Sequence, residues 1–193
     1  DEALQKINSR LLAARYFLRE TNVMMITLGT AWVFELVDTR KIVSNCHKLP
    51  ASRFTRRRLS VDEIINEFTE VFGLLRNSYR GLKFIFTVSP IRHWKDGAHE
   101  NTVSKSTLHL AVDALEKQFD FVHYFPAYEI MMDELRDYRF YASDMLHPSD
   151  VAVDYIWQRF GDTYFSSETL NLKKELERLR ADLNHRPLHP ETE

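Results

Sequence analysis

An α/β protein with a mainly parallel sheet is what this sequence predicts. Three short apolar runs, Val23–Leu28, Leu82–Val88 and Phe121–Phe125, are each stopped by Gly or by a Pro close behind. Continuous runs of that length and β-branched or aromatic make-up suit strands buried on both faces. Between them lie stretches with apolar residues at three- and four-residue spacing, and helix–strand alternation of this kind implies helices on both faces of a parallel sheet. Hydrophobic content of 44% and charged content of 28% over 193 residues supply core enough for such a domain.

Residues 2–19 read as a helix, with Leu4, Ile7, Leu11 and Leu12 on one face. The run at 23–28 ends on Gly29, and Gly29-Thr-Ala-Trp-Val-Phe34 then lies past the carboxyl end of a strand, the edge where open α/β sheets bind ligands. Residues 35–60 show no long element: a turn at Val37–Arg40, a short strand at Lys41–Ser44, then polar Asn45-Cys-His-Lys-Leu-Pro50. A loop of that length is functional or carries small strands of its own. Arg56, Arg57 and Arg58 read as a solvated basic face.

Ser60-Val-Asp-Glu63 is a capping box opening a helix with Ile64, Ile65, Phe68, Val71, Phe72 and Leu75 on its stripe. The strand at 82–88 ends at Ser89-Pro90, and a polar loop runs from Ile91 to Asn101. A helix over about 102–118 presents Leu108, Val112, Leu115 and Phe119. Residues 127–138 are mixed. Val151–Phe160 forms a helix, and Ser167 caps a last one in which Leu172, Leu176, Leu179 and Leu183 recur at steps of four, three and four. That stripe suits packing within the chain or, less favoured, a homodimer through the C-terminal helix. The tail from His185 to Glu193 reads as frayed. With three strands and a helix at the start, the pattern reads as though a first strand is missing.

Charge and cysteine usage exclude several classes. With 26 Lys+Arg against 28 Asp+Glu, the net charge of -2 gives no basic surface for nucleic acid or anionic lipid. No stretch is apolar for about 18 residues, so no membrane span is expected. Cys46 is the single cysteine, which rules out an intrachain disulfide and fits a reducing, cytoplasmic compartment. His47, His93, His99 and His147 show no metal-ligand spacing, and neither a metal nor another cofactor is expected.

The chemistry centres on Tyr138-Arg-Phe-Tyr-Ala-Ser-Asp-Met-Leu-His-Pro-Ser-Asp150. Asp144 and His147 stand three apart before Pro148, on a turn into a new helix. A carboxylate so placed holds one imidazole nitrogen and leaves the other to act as a base. The plainer alternative is that Asp144 or Ser149 only caps the helix and His147 faces away. After the second strand, Arg92, His93, Trp94, Lys95 and His99 suit a polar ligand such as a sugar or a carboxylate, or simply pack the loop.

Several motifs occur in order at strand ends: Thr27-Leu-Gly-Thr-Ala-Trp32, Ser44-Asn-Cys-His-Lys48, Thr87-Val-Ser-Pro-Ile-Arg-His93, Tyr124-Phe-Pro-Ala-Tyr-Glu129, Leu135-Arg-Asp-Tyr-Arg-Phe-Tyr141 and Asp144-Met-Leu-His147. Together they resemble the bacterial GSCFA family, a branch of the SGNH (GDSL-like) hydrolases, over nearly the whole chain to about Phe165. The resemblance implies a flavodoxin-like three-layer α/β/α fold for residues 1–165, followed by an amphipathic helix and tail at 166–193. It also implies a serine esterase acting on a small-molecule or glycan ester, with His147 as general base and Asp144 orienting it. Gly29 matches the glycine of a block normally written Gly-x-Asn-Asp. Here Ala31 replaces the oxyanion asparagine, so that Gly29, Thr30 and the neighbouring Asn45 become the candidate donors, with Arg92 and His93 as substrate-binding candidates. The string Gly-Ser-Cys-Phe-Ala, whose serine is the family's presumed nucleophile, does not occur. It is expected before residue 1, because Ser44, Ser89, Ser104 and Ser143 lack the strand–tight turn–helix setting of a nucleophile. The altered block leaves a second reading: a binding or assembly module that keeps the fold without turnover.

Overall fold

A computed structural model describes residues 2–46 and 48–184, which fall into two compact units, Asp1–Arg136 and Asp137–Glu193. His47 and the tail from 185 lie outside the described residues.

The first unit runs α1 (Glu2–Arg19), β1 (Val23–Leu28), β2 (Trp32–Leu36), β3 (Ile42–Val43), β4 (Phe54–Arg58), α2 (Val61–Ser78), β5 (Lys83–Val88), α3 (Ala98–Gln118), β6 (Val122–Tyr124) and α4 (Ala127–Glu129), which continues into a wider π-type turn at Ile130–Glu134. Strands β1, β5 and β6 form a parallel sheet in that order, with Val23 opposite Lys83 and Phe84 opposite Val122. The fold is a three-layer α/β/α arrangement, as expected. Phe84, Phe86 and Val88 alternate onto the face covered by α2 and α3, and each is fully buried. Phe72 of α2 is the hub, its ring 4.6 Å from Phe84, 5.4 Å from Phe119 and 5.6 Å from Phe121. Ile85 points to the other face, where the Ala127–Glu134 segment buries Ile130 and Met131. The capping box forms as read: Ser60 Oγ accepts the Glu63 N–H while the Glu63 carboxylate accepts the Ser60 N–H.

The stretch at 35–60 carries small strands of its own: β3 lies where the short strand at Lys41–Ser44 is expected, and β2, β3 and β4 build a second, antiparallel sheet in the order β3-β2-β4. One reading is corrected here: the arginine run is not solvated. On β4, Arg56 pairs with Asp96 through its second nitrogen at 2.6 Å, Arg57 with Glu35 at 2.7 Å and Glu63 at 2.8 Å, and Arg58 with Glu100 at 3.2 Å. Their side chains are half-buried and the Glu35 carboxylate is buried. Hydrogen bonds to Glu63 and Glu35 push the Arg57 pKa further up. The same Arg57 contact, with the Ser60 amide, holds Glu63 at about 2. Charge pairing replaces apolar alternation in this strand, so hydrophobic periodicity could not reveal it.

The second unit holds a loop, then α5 (Asp150–Tyr164) and α6 (Ser167–Asn184). Ser149 Oγ accepts the Ala152 N–H at the start of α5. At α6 it is Ser166, one residue before the expected Ser167, whose Oγ accepts the Thr169 N–H. The leucine stripe of α6 is exposed, so it does not pack within its own unit. No helix there is long and apolar enough to cross a membrane.

Candidate functional site

In the second unit the site grows from a tight loop. Backbone bonds from Ala142 N–H to His147 O (2.8 Å) and from Ser149 N–H to Phe140 O (2.8 Å) close residues 140–149 into a small hairpin, with a bridge between Tyr141 and Pro148. At its tip Met145 takes a left-handed φ of 61°, a conformation that costs a residue with a Cβ about 1 kcal/mol. That twist turns two successive amides back onto Asp144. Its Oδ1 accepts the N–H groups of Leu146 and His147, both at 2.9 Å, while Oδ2 lies 2.5 Å from His147 Nδ1. These bonds, the backbone pair first, hold the Asp144 carboxyl at about 2. The carboxylate is therefore ionised and only accepts, which places the proton on Nδ1 and leaves the lone pair of the neutral ring on Nε2. The His147 side chain is 59% exposed, and Nε2 has no partner among the described residues. Asp144 bonds the turn amides and holds the imidazole at the same time, and Ser149 caps α5, so the alternative in which Asp144 only caps and His147 faces away does not hold.

The carboxyl edge of the parallel sheet, in the first unit, carries a separate polar cluster. Lys105 of α3 is 2% exposed and donates to the carbonyl of Gly29 at 2.6 Å and to that of Ser89 at 2.5 Å, tying together the ends of β1 and β5. Ser104 Oγ accepts the Ala31 N–H at 2.8 Å and bonds Thr30 Oγ1 at 3.0 Å, and Thr30 Oγ1 in turn accepts the Trp32 N–H. Asn101 Oδ1 accepts the His93 N–H at 2.9 Å. The imidazole of His93 lies so close to Gly29 that a Cβ there would stand 3.4 Å from Nε2. Burial of the ring, with the nearby charges of Lys105 and Arg56, pushes the His93 pKa down and so favours the neutral ring.

Of the residues expected at the substrate, Gly29, Thr30 and His93 thus come together. Arg92 lies over the Trp94 ring at 5.9 Å, and Asn45 is exposed in the bend after β3. The N–H groups of Gly29 and Thr30 have no acceptor among the described residues and suit a carbonyl or anionic oxygen. Ser89 accepts the Ile91 N–H, Ser104 is engaged as above, and Ser44 and Ser143 are exposed. No group of three or more His, Cys, Asp or Glu side chains is gathered for a metal among the described residues.

Asn101, Ser104 and Lys105 were missed as site residues. They share one helical face with Leu108, Val112 and Leu115, at the spacing i, i+3, i+4, i+7, and all are buried. Polar residues continuing an apolar stripe towards a helix N-terminus were the available signal. It went unread because α3 begins at Ala98, four residues before the expected start, just after Gly97 with its φ of 84°.

Lys105 yields a test of its own. Burial without a carboxylate partner lowers its pKa to about 8, against about 10.4 for a free lysine. Between those values the folded state binds fewer protons than the unfolded chain, so stability rises with pH across that window. Relative to a Lys105→Met variant, the natural protein should gain on the order of 3 kcal/mol from about pH 8 to about pH 10.4. Urea melts of both proteins across that range check it, and a gap independent of pH means the buried ammonium is not under strain.

Residues 1–160 match the GSCFA family model. The chain belongs to the GSCFA family. No curated protein matches it. The matched residues of this GSCFA chain take in the whole lysine-centred cluster and the Asp144–His147 turn.

Proposed function

We propose that this GSCFA chain carries the proton-transfer half of a serine-type acyl-ester hydrolase. The observation that supports this best is the Asp144 Oδ2–His147 Nδ1 bond, which fixes the tautomer and leaves Nε2 as the base. In this reading Nε2 takes the proton of a serine hydroxyl as that oxygen bonds to the ester carbonyl. It then gives the proton to the departing alkoxide, so an alcohol leaves and an acyl-serine remains. Water, deprotonated by the same nitrogen, releases the acid. Asp144 stabilises the imidazolium in between and stays ionised throughout.

A binding module that keeps the fold is the second reading. It is favoured by Ala31, which is buried where the superfamily places an amide side chain and whose own N–H is engaged by Ser104. A fluorophosphonate probe, applied to the protein as the cell makes it, separates the two. Covalent labelling of a serine, blocked by His147→Ala, supports the hydrolase. Absence of labelling in the natural protein supports the binding module and removes the hydrolase assignment.

A further inference from the structure

Helix α6 carries an apolar stripe that no other described part of its unit covers. Leu172, Leu176, Leu179 and Leu183 are 55, 56, 58 and 86% exposed, whereas Leu170 turns inward towards Gly161 of α5. The four leucines span about 17 Å of helix. Their spacing of four, three and four is that of a heptad, with Leu172 and Leu179 at one core position (d) and Leu176 and Leu183 at the other (a).

The residues beside that seam separate by sign. One flank, position g, holds Glu168, Glu175 and Asp182, and the other, position e, holds Lys173 and Arg180. When two such helices run parallel, each g residue faces the e residue five places later on the partner. Glu168 then meets Lys173 and Glu175 meets Arg180, each contact occurring twice across the two-fold axis. An antiparallel pair would instead set acid against acid and base against base. Pairing within the helix accounts for less: Lys173 reaches Glu177 at 3.4 Å, but such bonds need neither an acidic row on one flank nor leucines between the rows. The helix is its own complement only in the parallel sense.

We propose that α6 pairs with α6 of a second copy of this chain as a short parallel two-stranded coiled coil. About two heptads give a weak and concentration-dependent contact. The helix is already formed within its unit, so association does not carry the cost of nucleating it. Two copies joined in this way are related by a two-fold axis along the seam, with their α5–α6 units side by side.

Sedimentation equilibrium of the 193-residue chain should show the mass rising from 22.9 kDa towards twice that value with concentration. Glu175→Lys sets like charges along both flanks and should weaken the dimer about tenfold, and Arg180→Glu should do the same. The double variant Glu175→Lys with Arg180→Glu restores opposite signs and should return to within about threefold of the natural affinity. In a Cys46→Ser background, Leu176→Cys should oxidise to a symmetric cross-linked dimer, because identical core positions meet only in the parallel register. A monomer at every concentration overturns the proposal, as does a dimer indifferent to Glu175→Lys or not rescued by the double change. Cross-linking confined to mixtures of Leu176→Cys with Leu179→Cys overturns it too, because that marks an antiparallel pair.

Discussion

His147→Ala should slow hydrolysis of p-nitrophenyl acetate by several thousand-fold or more in the protein as the cell makes it, on the proposed hydrolase reading. The expected loss is that large because removing the base leaves the serine hydroxyl protonated while substrate binding is untouched, so kcat falls and KM changes little. Asp144→Asn should fall in the same range, for a different reason. Its amide can present N–H to Nδ1, which favours the wrong tautomer, and it also takes the charge away from the Leu146 and His147 amides. With its carboxyl held at about 2, Asp144 should add no inflection to the rate–pH profile above about pH 3. Steady-state rates for the natural protein and both variants against buffer decide the matter. A drop of less than about tenfold for His147→Ala would place the chemistry on other residues.

Phe72→Ala should cost about 3–5 kcal/mol of folding stability, a large share of the total for a domain of this size. Phe72 is 1% exposed, and its ring meets those of Phe68, Phe84, Phe86, Phe119 and Phe121. Those partners come from α2, β5 and the two ends of the loop before β6, so no single element can relax into the space left behind. Phe72→Leu, which keeps most of the volume, should lose about 1–2 kcal/mol. Urea denaturation monitored by far-UV circular dichroism gives both values. A loss below about 1 kcal/mol for the alanine variant would mean that the cluster rearranges to fill the void.

The parallel sheet and its helices were legible because their physics is periodic. Apolar runs marked β1 and β5, and the capping box located the start of α2. Of the antiparallel sheet only the short strand near Ile42 was legible; β4 was not, because Arg56, Arg57 and Arg58 are stabilised by carboxylates that come from β2, α2, the loop after β5 and α3. Pairing between residues up to about forty positions apart leaves no local pattern. The Asp144–His147 turn was read correctly as a place where carboxylate and imidazole face one another, since all its contacts are local. The lysine-centred cluster escaped for the opposite reason: Lys105 and Ser104 act on Gly29, Thr30 and Ala31, more than seventy residues away in the sequence.

The closed loop at 140–149 also separates the two halves of this chain in folding time. Every bond that holds Asp144 to His147 spans nine residues or fewer, including those that close the hairpin. Contacts so short in sequence close within about a microsecond. Strand β1 finds β5 only by joining positions roughly sixty residues apart, the slow, entropy-limited kind of event. Bringing the imidazole to its carboxylate therefore costs far less chain entropy than building the sheet.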